Sequence, residues 1–260
     1  MMRFVLLFLL SGGLLLGCAR SDAPVPVWAD EFDGSGPLDT SRWTFDMGGH
    51  GWGNNELQHY TDQLKNARRE NGHLVIEAHR EPLGERDYTS ARLVTRGKAA
   101  WKRGRIEVRA RLPSGRGTWP AVWMLGTAID SVGWPACGEI DIMEHVGYRP
   151  DTVFATVHTT AFNHMRGTQV GDQRYVPDSE TAFHTYAVDW RDERLAFSVD
   201  SVEYFTFERP TNATAAEWPF DMPHYLLLNI AVGGHWGGRE GIDTTIWPQR
   251  MEVDWVRVWE

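Results

Sequence analysis

Glu139, Asp141 and Glu144 place three carboxylic acids in the short run Gly138-Glu139-Ile140-Asp141-Ile142-Met143-Glu144. Carboxyl groups this close repel one another when ionised, so at least one keeps its proton above the usual carboxylate range. A proton donor beside an ionised nucleophile is the pair that glycoside cleavage requires. A solvated acidic strand or a calcium site would use the same residue types, and spacing alone leaves those readings open. Trp119, Trp123 and Trp134 turn the reading toward sugars, because flat rings stack on the apolar faces of pyranoses.

The strand that carries the acids imposes a geometric condition. Side chains two apart share a face, so Glu139 and Asp141 point one way and Ile140 and Ile142 the other. Glu144, five residues beyond Glu139, would then face the core, where an unpartnered carboxylate is too costly. Either the strand ends before Glu144, or a β-bulge near Met143 restores its parity; bulges re-aim side chains beside active sites. With a bulge, four effective steps separate the outer backbones by roughly 13 Å. Glutamates leaning inward close that to about 5–5.5 Å, the separation found in retaining glycosidases.

The elements that must hold such a strand are also strands. Arg105-Ile106-Glu107-Val108-Arg109-Ala110-Arg111-Leu112 alternates apolar and charged residues. Tyr186, Val188 and Trp190 alternate, as do Leu195, Phe197 and Val199, and Met251 to Trp259 reads the same way. Tyr225 to Val232 is nearly continuously apolar, which suits a strand covered on both faces. Gly48-Gly49, Gly115-Arg116-Gly117 and Gly233-Gly234 punctuate these runs. Beyond the first residues no segment keeps a helical period. The pattern predicts an all-β sandwich or barrel, with one curved sheet able to offer a groove to an extended polymer.

The chain has 260 residues, 42% of them hydrophobic, enough for one sizeable core. Its net charge of −9 excludes a nucleic-acid surface, which needs clustered positive charge. Thirteen tryptophans exceed what one core takes, so some must line a surface. At the start, Met1-Met2-Arg3 precedes an apolar run from Phe4 to Leu16, too short to span a bilayer and suited to a signal peptide. Leu15-Leu16-Gly17-Cys18 resembles a bacterial lipoprotein cleavage box. Residues 1–17 then form the signal peptide, Cys18 carries lipid, 18–26 is a linker, and 27–260 is the folded domain. The product is exported and lipid-anchored to a bacterial membrane, at the cell surface or in the periplasm. An ordinary secretory signal is the plainer alternative. With Cys18 lipidated, Cys137 has no disulfide partner, and two cysteines cannot build a structural zinc site.

The acidic run resembles the signature of glycoside hydrolase family 16 in the form that carries a bulge residue, and the chain is similar to bacterial laminarinases, endo-β-1,3-glucanases. Supporting segments include Trp28 to Gly34, Asn54 to Thr61, Tyr88 to Leu93, Trp119 to Leu125, Val157-His158-Thr159 and Asn229 to Trp236. The resemblance spans Trp28 to Glu260. It implies a β-jelly-roll, of the concanavalin A-like kind, with two curved antiparallel sheets and a concave substrate cleft. It implies Glu139 as nucleophile, Glu144 as acid and then base, and Asp141 between them steering protonation. His158 is expected on a neighbouring strand, close enough to Glu144 to influence its proton.

Asn54, Glu56 and Arg92 are candidates to hydrogen-bond sugar hydroxyls, and Trp119, Trp123, Trp134 and Trp236 are candidate platforms. Each has a plainer reading as a core ring or a solvated loop residue. No cofactor is needed for catalysis. The resemblance implies a structural calcium on the convex side, held by Glu31, the Gly72 carbonyl and Asp254. The implied activity is retaining, double-displacement cleavage of internal β-1,3 bonds in laminarin-like glucans, or of mixed β-1,3-1,4 glucans, by a monomer. A non-catalytic β-glucan-binding module on the same sandwich is the alternative, as is a relative acting on licheninan, agarose or carrageenan. The complete acid trio speaks against a mere binder.

Overall fold

The computed structural model describes residues 24–260. The signal peptide and lipidation expectations, residues 1–17 and Cys18, lie outside the described residues. In chain order the strands are β1 (Trp28–Asp30), β2 (Thr44–Asp46), β3 (Gln58–Tyr60), β4 (Ala67–Glu70), β5 (His73–Leu83) and β6 (Arg86–Ser90). There follow β7 (Arg92–Val94), β8 (Gly104–Arg111), β9 (Thr118–Gly126), β10 (Glu139–His145), β11 (Thr152–His158) and β12 (Val170–Tyr175). The last five are β13 (His184–Trp190), β14 (Arg194–Val199), β15 (Val202–Glu208), β16 (His224–Val232) and β17 (Gln249–Trp259). Helix is confined, among the described residues, to two four-residue turns and one 3₁₀ turn, and no helix is long and apolar enough to cross a membrane.

Ten strands make one sheet, ordered β15-β14-β13-β8-β17-β5-β6-β3, with β1 added on β17 and β4 on β5. Seven make the other, ordered β12-β11-β10-β9-β16-β7-β2. The pairs are antiparallel except β3 with β6. The two sheets close a jelly-roll around one apolar core that includes Ile106, Val108, Ile140, Ile142, Met143, Val188, Leu228 and Val256. The expected alternation is realised in β8, whose residues are buried at every second position. The unbroken apolar run becomes β16, buried along its whole length.

β16 is covered on both faces because the outer side of its sheet carries a second apolar cluster. Val94, Leu125, Tyr225 and Leu227 pack there with Cys137, under Trp123, Ile129 and Trp134. This patch floors one bank of the cleft. The turn leading into β10 is tight against it: Gly126 N–H donates to Gly138 O, and a Cβ on Gly126 would lie 1.9 Å from Cys137 O. Gly138 itself has φ of 80°, so the chain enters β10 through a conformation that L side chains resist. Cys137 is buried beside this turn with a free thiol.

Candidate active site

The register of the seven-stranded sheet lines the site up in rows across its concave face. Along β10, Glu139 pairs with Leu125 of β9 and His158 of β11. Asp141 pairs with Trp123 and Thr156. Glu144 pairs with Ala121 and Phe154, and Ala121 continues the row through Asn229 to Arg92. Between the last two rows β10 takes three steps where each neighbour takes two, so one residue is extra. The register shift is the expected bulge. Ile142 and Met143 both turn into the core, which returns Glu144 to the face of Glu139 and Asp141.

The acids sit in a cleft of ≈ 400 Å³ lined by side chains of β7, β9, β10 and β16, by the loop from His50 to Glu56, and by Trp134, His164 and Met165. Each glutamate is held by an indole. Trp134 Nε1–H donates to Glu139 Oε2 at 2.9 Å, and Trp119 Nε1–H donates to Glu144 Oε1 at 3.0 Å. Trp119 and Trp134 therefore line the cleft as expected, with their N–H groups committed to the acids. Trp236 is not among the lining side chains. It packs edge-on behind Trp119, at 5.5 Å between ring centroids, and against Phe154 at 4.9 Å.

Burial is the main reason all three carboxyls are pushed up from their ordinary range. Glu139 rises to about 8 through burial and then the charge of Glu144. Burial lifts Glu144 to about 7, against the opposing pull of the Trp119 N–H. Asp141 is driven well up by burial and then by the charges of Glu139 and Glu144. The protons belong to the coupled set, and donors decide where negative charge is best tolerated. Glu139 has the Trp134 N–H, the Asp141 carboxyl and the Arg92 charge in its favour, while Glu144 has one indole. Part of the higher value at Glu139 comes from an ionised Glu144; once Glu144 carries the proton that repulsion is gone, and the donors around Glu139 favour the anion there, with Asp141 donating to it.

His158 is placed differently from expectation. It lies opposite Glu139, and Phe154 occupies the position opposite Glu144, because the antiparallel register runs that way. Its Nε2 is 3.4 Å from Asp141 Oδ2 and 3.7 Å from Glu139 Oε1. Burial, followed by the neighbouring His164, lowers its pKa to about 3, so the ring is neutral. Any influence of His158 reaches the Glu139–Asp141 end of the site. Glu139, Asp141 and His158 also bring one ligand-capable atom each within 4.8 Å of one another.

A polar network continues the cleft beyond β9. Glu56 is buried, which raises its pKa, and it accepts from Gln58 at 2.6 Å and from Asn54 and Tyr60 at 3.3 Å each. Asn229 donates to the Tyr60 hydroxyl at 3.1 Å and accepts from Trp123 Nε1 at 2.7 Å. The Arg92 guanidinium lies 4.5 Å from the Trp52 ring and 4.7 Å from the Trp123 ring. Sequence reasoning singled out Asn54, Glu56, Arg92 and Trp123 but missed Trp52, His50, Asn229, His164 and Met165, all of which line the cleft. Asn229 had a visible signal as the one polar residue amid the apolar run of β16. Trp52 and His50 had theirs in a stretch crowded with glycine, Gly48-Gly49-His50-Gly51-Trp52-Gly53. The exposed Met165 had none.

The residues expected to hold calcium lie outside the cleft lining. Gly72 N–H donates to Gly34 O in the loop after Glu31, and His73 Nε2 is 3.7 Å from Asp254 Oδ1. Their carboxylates already have cationic partners. Glu31 forms a two-point pair with Arg257, at 2.8 Å for each contact, and Asp254 is paired with Arg109.

Residues 54–257 match the family described as glycosyl hydrolases family 16. The chain is 54% identical to a β-glucanase of Rhodothermus marinus, over 98% of this chain and 92% of that one. It is 40% identical to a glucan endo-1,3-β-glucosidase of Cryptopygus antarcticus, over 95% and 96% of the two chains. Among solved structures, the laminarinase of Rhodothermus marinus superposes with a TM-score of 0.88 at 53% identity, covering 90% of this chain and 96% of the other. With the bulged acidic strand at the centre of a jelly-roll cleft, these likenesses make the chain a member of the glycosyl hydrolases of family 16.

Proposed function

We propose that this chain is a retaining endo-glucanase that cleaves internal β-1,3 bonds of laminarin-like glucans and accepts mixed β-1,3-1,4 glucans, acting as a monomer. The observation that carries this reading is the bulge that puts Glu139 and Glu144 on one face, two rows apart, with Asp141 between them. In the first step the Glu139 carboxylate attacks the anomeric carbon while Glu144 gives its proton to the departing glycosidic oxygen. The new bond is an ester between Glu139 and the sugar, and the bond broken is the glycosidic one. In the second step Glu144 takes a proton from water, the water oxygen attacks the same carbon, and Glu139 is released as carboxylate. Two inversions give retention. The Asp141 proton stays hydrogen-bonded to Glu139 and eases its departure as an anion.

The lining runs from β10 across β9 and β16 to Arg92 of β7 and also takes in His164 and Met165, an extent that suits attack within a polymer. Asn54, Glu56, Arg92 and Asn229 supply hydrogen-bonding groups on one arm, and Trp52 and Trp123 supply ring faces beside them. Reducing-end release from laminarin, barley mixed glucan, agarose and carrageenan tests the reading. Release from laminarin is expected, with Glu139→Ala lowering it by at least about 10³-fold. Activity confined to agarose or carrageenan would overturn the specificity, and laminarin binding without any release would make the chain a binding module.

The Trp119 contact gives a pH prediction with a definite sign. The Glu144 proton is needed for the first step, so kcat falls as pH rises through the value near 7. The Trp119 N–H favours ionised Glu144, and removing it raises the pKa. In Trp119→Phe the alkaline limb of the kcat profile is therefore expected at higher pH than in the parent. A limb that stays in place or moves down would show that Glu144 is not the group it reports.

The anchor and the calcium are finer parts of the same proposal. Lipid at Cys18 would hold the enzyme to a bacterial membrane at the site of a polymer too large to import. Full-length protein is expected in the membrane fraction and Cys18→Ser in the soluble fraction; equal partitioning would remove the anchor. Calcium at Glu31, the Gly72 carbonyl and Asp254 is supported by the hard oxygen donors these residues offer. It has to displace Arg257 and Arg109 from the two carboxylates. A melting temperature several degrees higher in calcium than in chelator is the expected outcome, and identical melting curves would remove the ion.

A further inference from the structure

His145 follows Glu144, ends β10, and points away from the cleft into the protein, where it is fully buried. Its Nδ1 lies 2.9 Å from the Thr152 carbonyl oxygen, and its Nε2 lies 3.1 Å from Glu180 Oε1. A carbonyl oxygen and a carboxylate oxygen both accept hydrogen bonds. Both ring nitrogens must therefore donate, or Glu180 must carry the proton. In either case the two side chains share one proton beyond a neutral imidazole and a carboxylate. Thr152 begins β11, and Glu180 sits in the segment between β12 and β13, where the chain crosses from one sheet to the other. The imidazole is thus clamped from two directions, just past the bulge.

Buried polar pairs add little net stability, and their best-attested use is to fix register. Here the alternative register is easy to specify. If β10 lost its extra residue and slid by one, His145 and Glu144 would exchange faces. The imidazole would enter the cleft, a carboxylate would enter the core, and Thr152 O and Glu180 would lose their partner. Ile142 and Met143 also favour the bulge, since a regular strand would turn one of them out of the core, but that loss places no charge in the core as the Glu144 exchange would. We propose that His145 and Glu180 are positioning residues that latch the catalytic strand in its bulged register and so aim Glu144 at Trp119 and the scissile bond. This rests on the assignment of Glu144 as the acid, which the Trp119→Phe experiment tests separately.

The informative variants are at Glu180, since replacing the fully buried His145 risks the fold itself. In Glu180→Gln the amide donates to Nε2 of a neutral imidazole whose Nδ1–H still bonds Thr152 O, so the latch survives. Its kcat on laminarin is expected within about threefold of the parent. In Glu180→Leu the imidazole faces an apolar group. At temperatures well below each variant's melting point, its kcat is expected to fall roughly 10- to 100-fold with KM within about twofold. Its alkaline limb should also move, because Glu144 no longer sits squarely on the Trp119 N–H. Equal activity of the leucine and glutamine variants, or a loss in the leucine variant seen mainly in KM, would overturn the proposal. So would a loss that merely follows the unfolded fraction.

Discussion

One inserted residue in β10 is the constraint on which the rest of the structure depends. A regular strand cannot place Glu139 and Glu144 on the same face, because their separation of five is odd and the side-chain period is two. The bulge converts five positions into four effective steps, measured directly by the four steps from Leu125 to Ala121 on β9. Its cost is a broken ladder at the centre of a sheet, and two large apolar residues absorb it. Ile142 and Met143 sit side by side in the core, so the irregular backbone is covered by apolar packing. The acids are thereby supported from beneath by core packing.

The second constraint is electrostatic. Three carboxyls with little solvent cannot all ionise, and the site resolves this by keeping protons and distributing donors unevenly. Both indole N–H groups are spent on the glutamates, one each, so they hold orientation without choosing between the two acids. The choice comes from Asp141, whose proton faces Glu139, and from Arg92, whose charge reaches Glu139 along the cleft. Neutral His158 beside Asp141 adds no charge to upset this balance. A cationic side chain in its place would pull the Asp141 proton off and leave two anions adjacent.

The fold was legible in the sequence to the extent that strands bury alternate residues. β8 could be read from its charges, and β16 from its unbroken apolar run. The bulge was legible for a different reason: parity left Glu144 facing the core, a position no lone carboxylate tolerates. What could not be read was anything set by register between distant segments. His158 was expected near Glu144 because both belong to one site, yet the antiparallel pairing sets it opposite Glu139. Trp236 could be seen to follow glycines, but its edge-on contacts with Trp119 and Phe154 could not be read. The acids expected to hold calcium turned out to have arginine partners brought by β17 and β8. Such pairings depend on which strands become neighbours, and local sequence says nothing about that.

The same distinction explains how the tryptophans divide. Trp43, Trp190 and Trp218 fill the core, where ring area contributes most to burial. Trp119 and Trp134 use their one polar atom on the acids, so substituting phenylalanine at either position would preserve area and lose the contact. Trp123 does both, since its N–H holds Asn229 and its face stacks with Arg92. That stack carries rigidity from the polar arm of the cleft to the row that holds Asp141, because Trp123 is the β9 partner of Asp141. A sugar bound against Arg92 and Asn229 would therefore press on groups already locked in place. Binding energy gained on that arm is not dissipated in rearrangement and remains available to hold the scissile bond over Glu139.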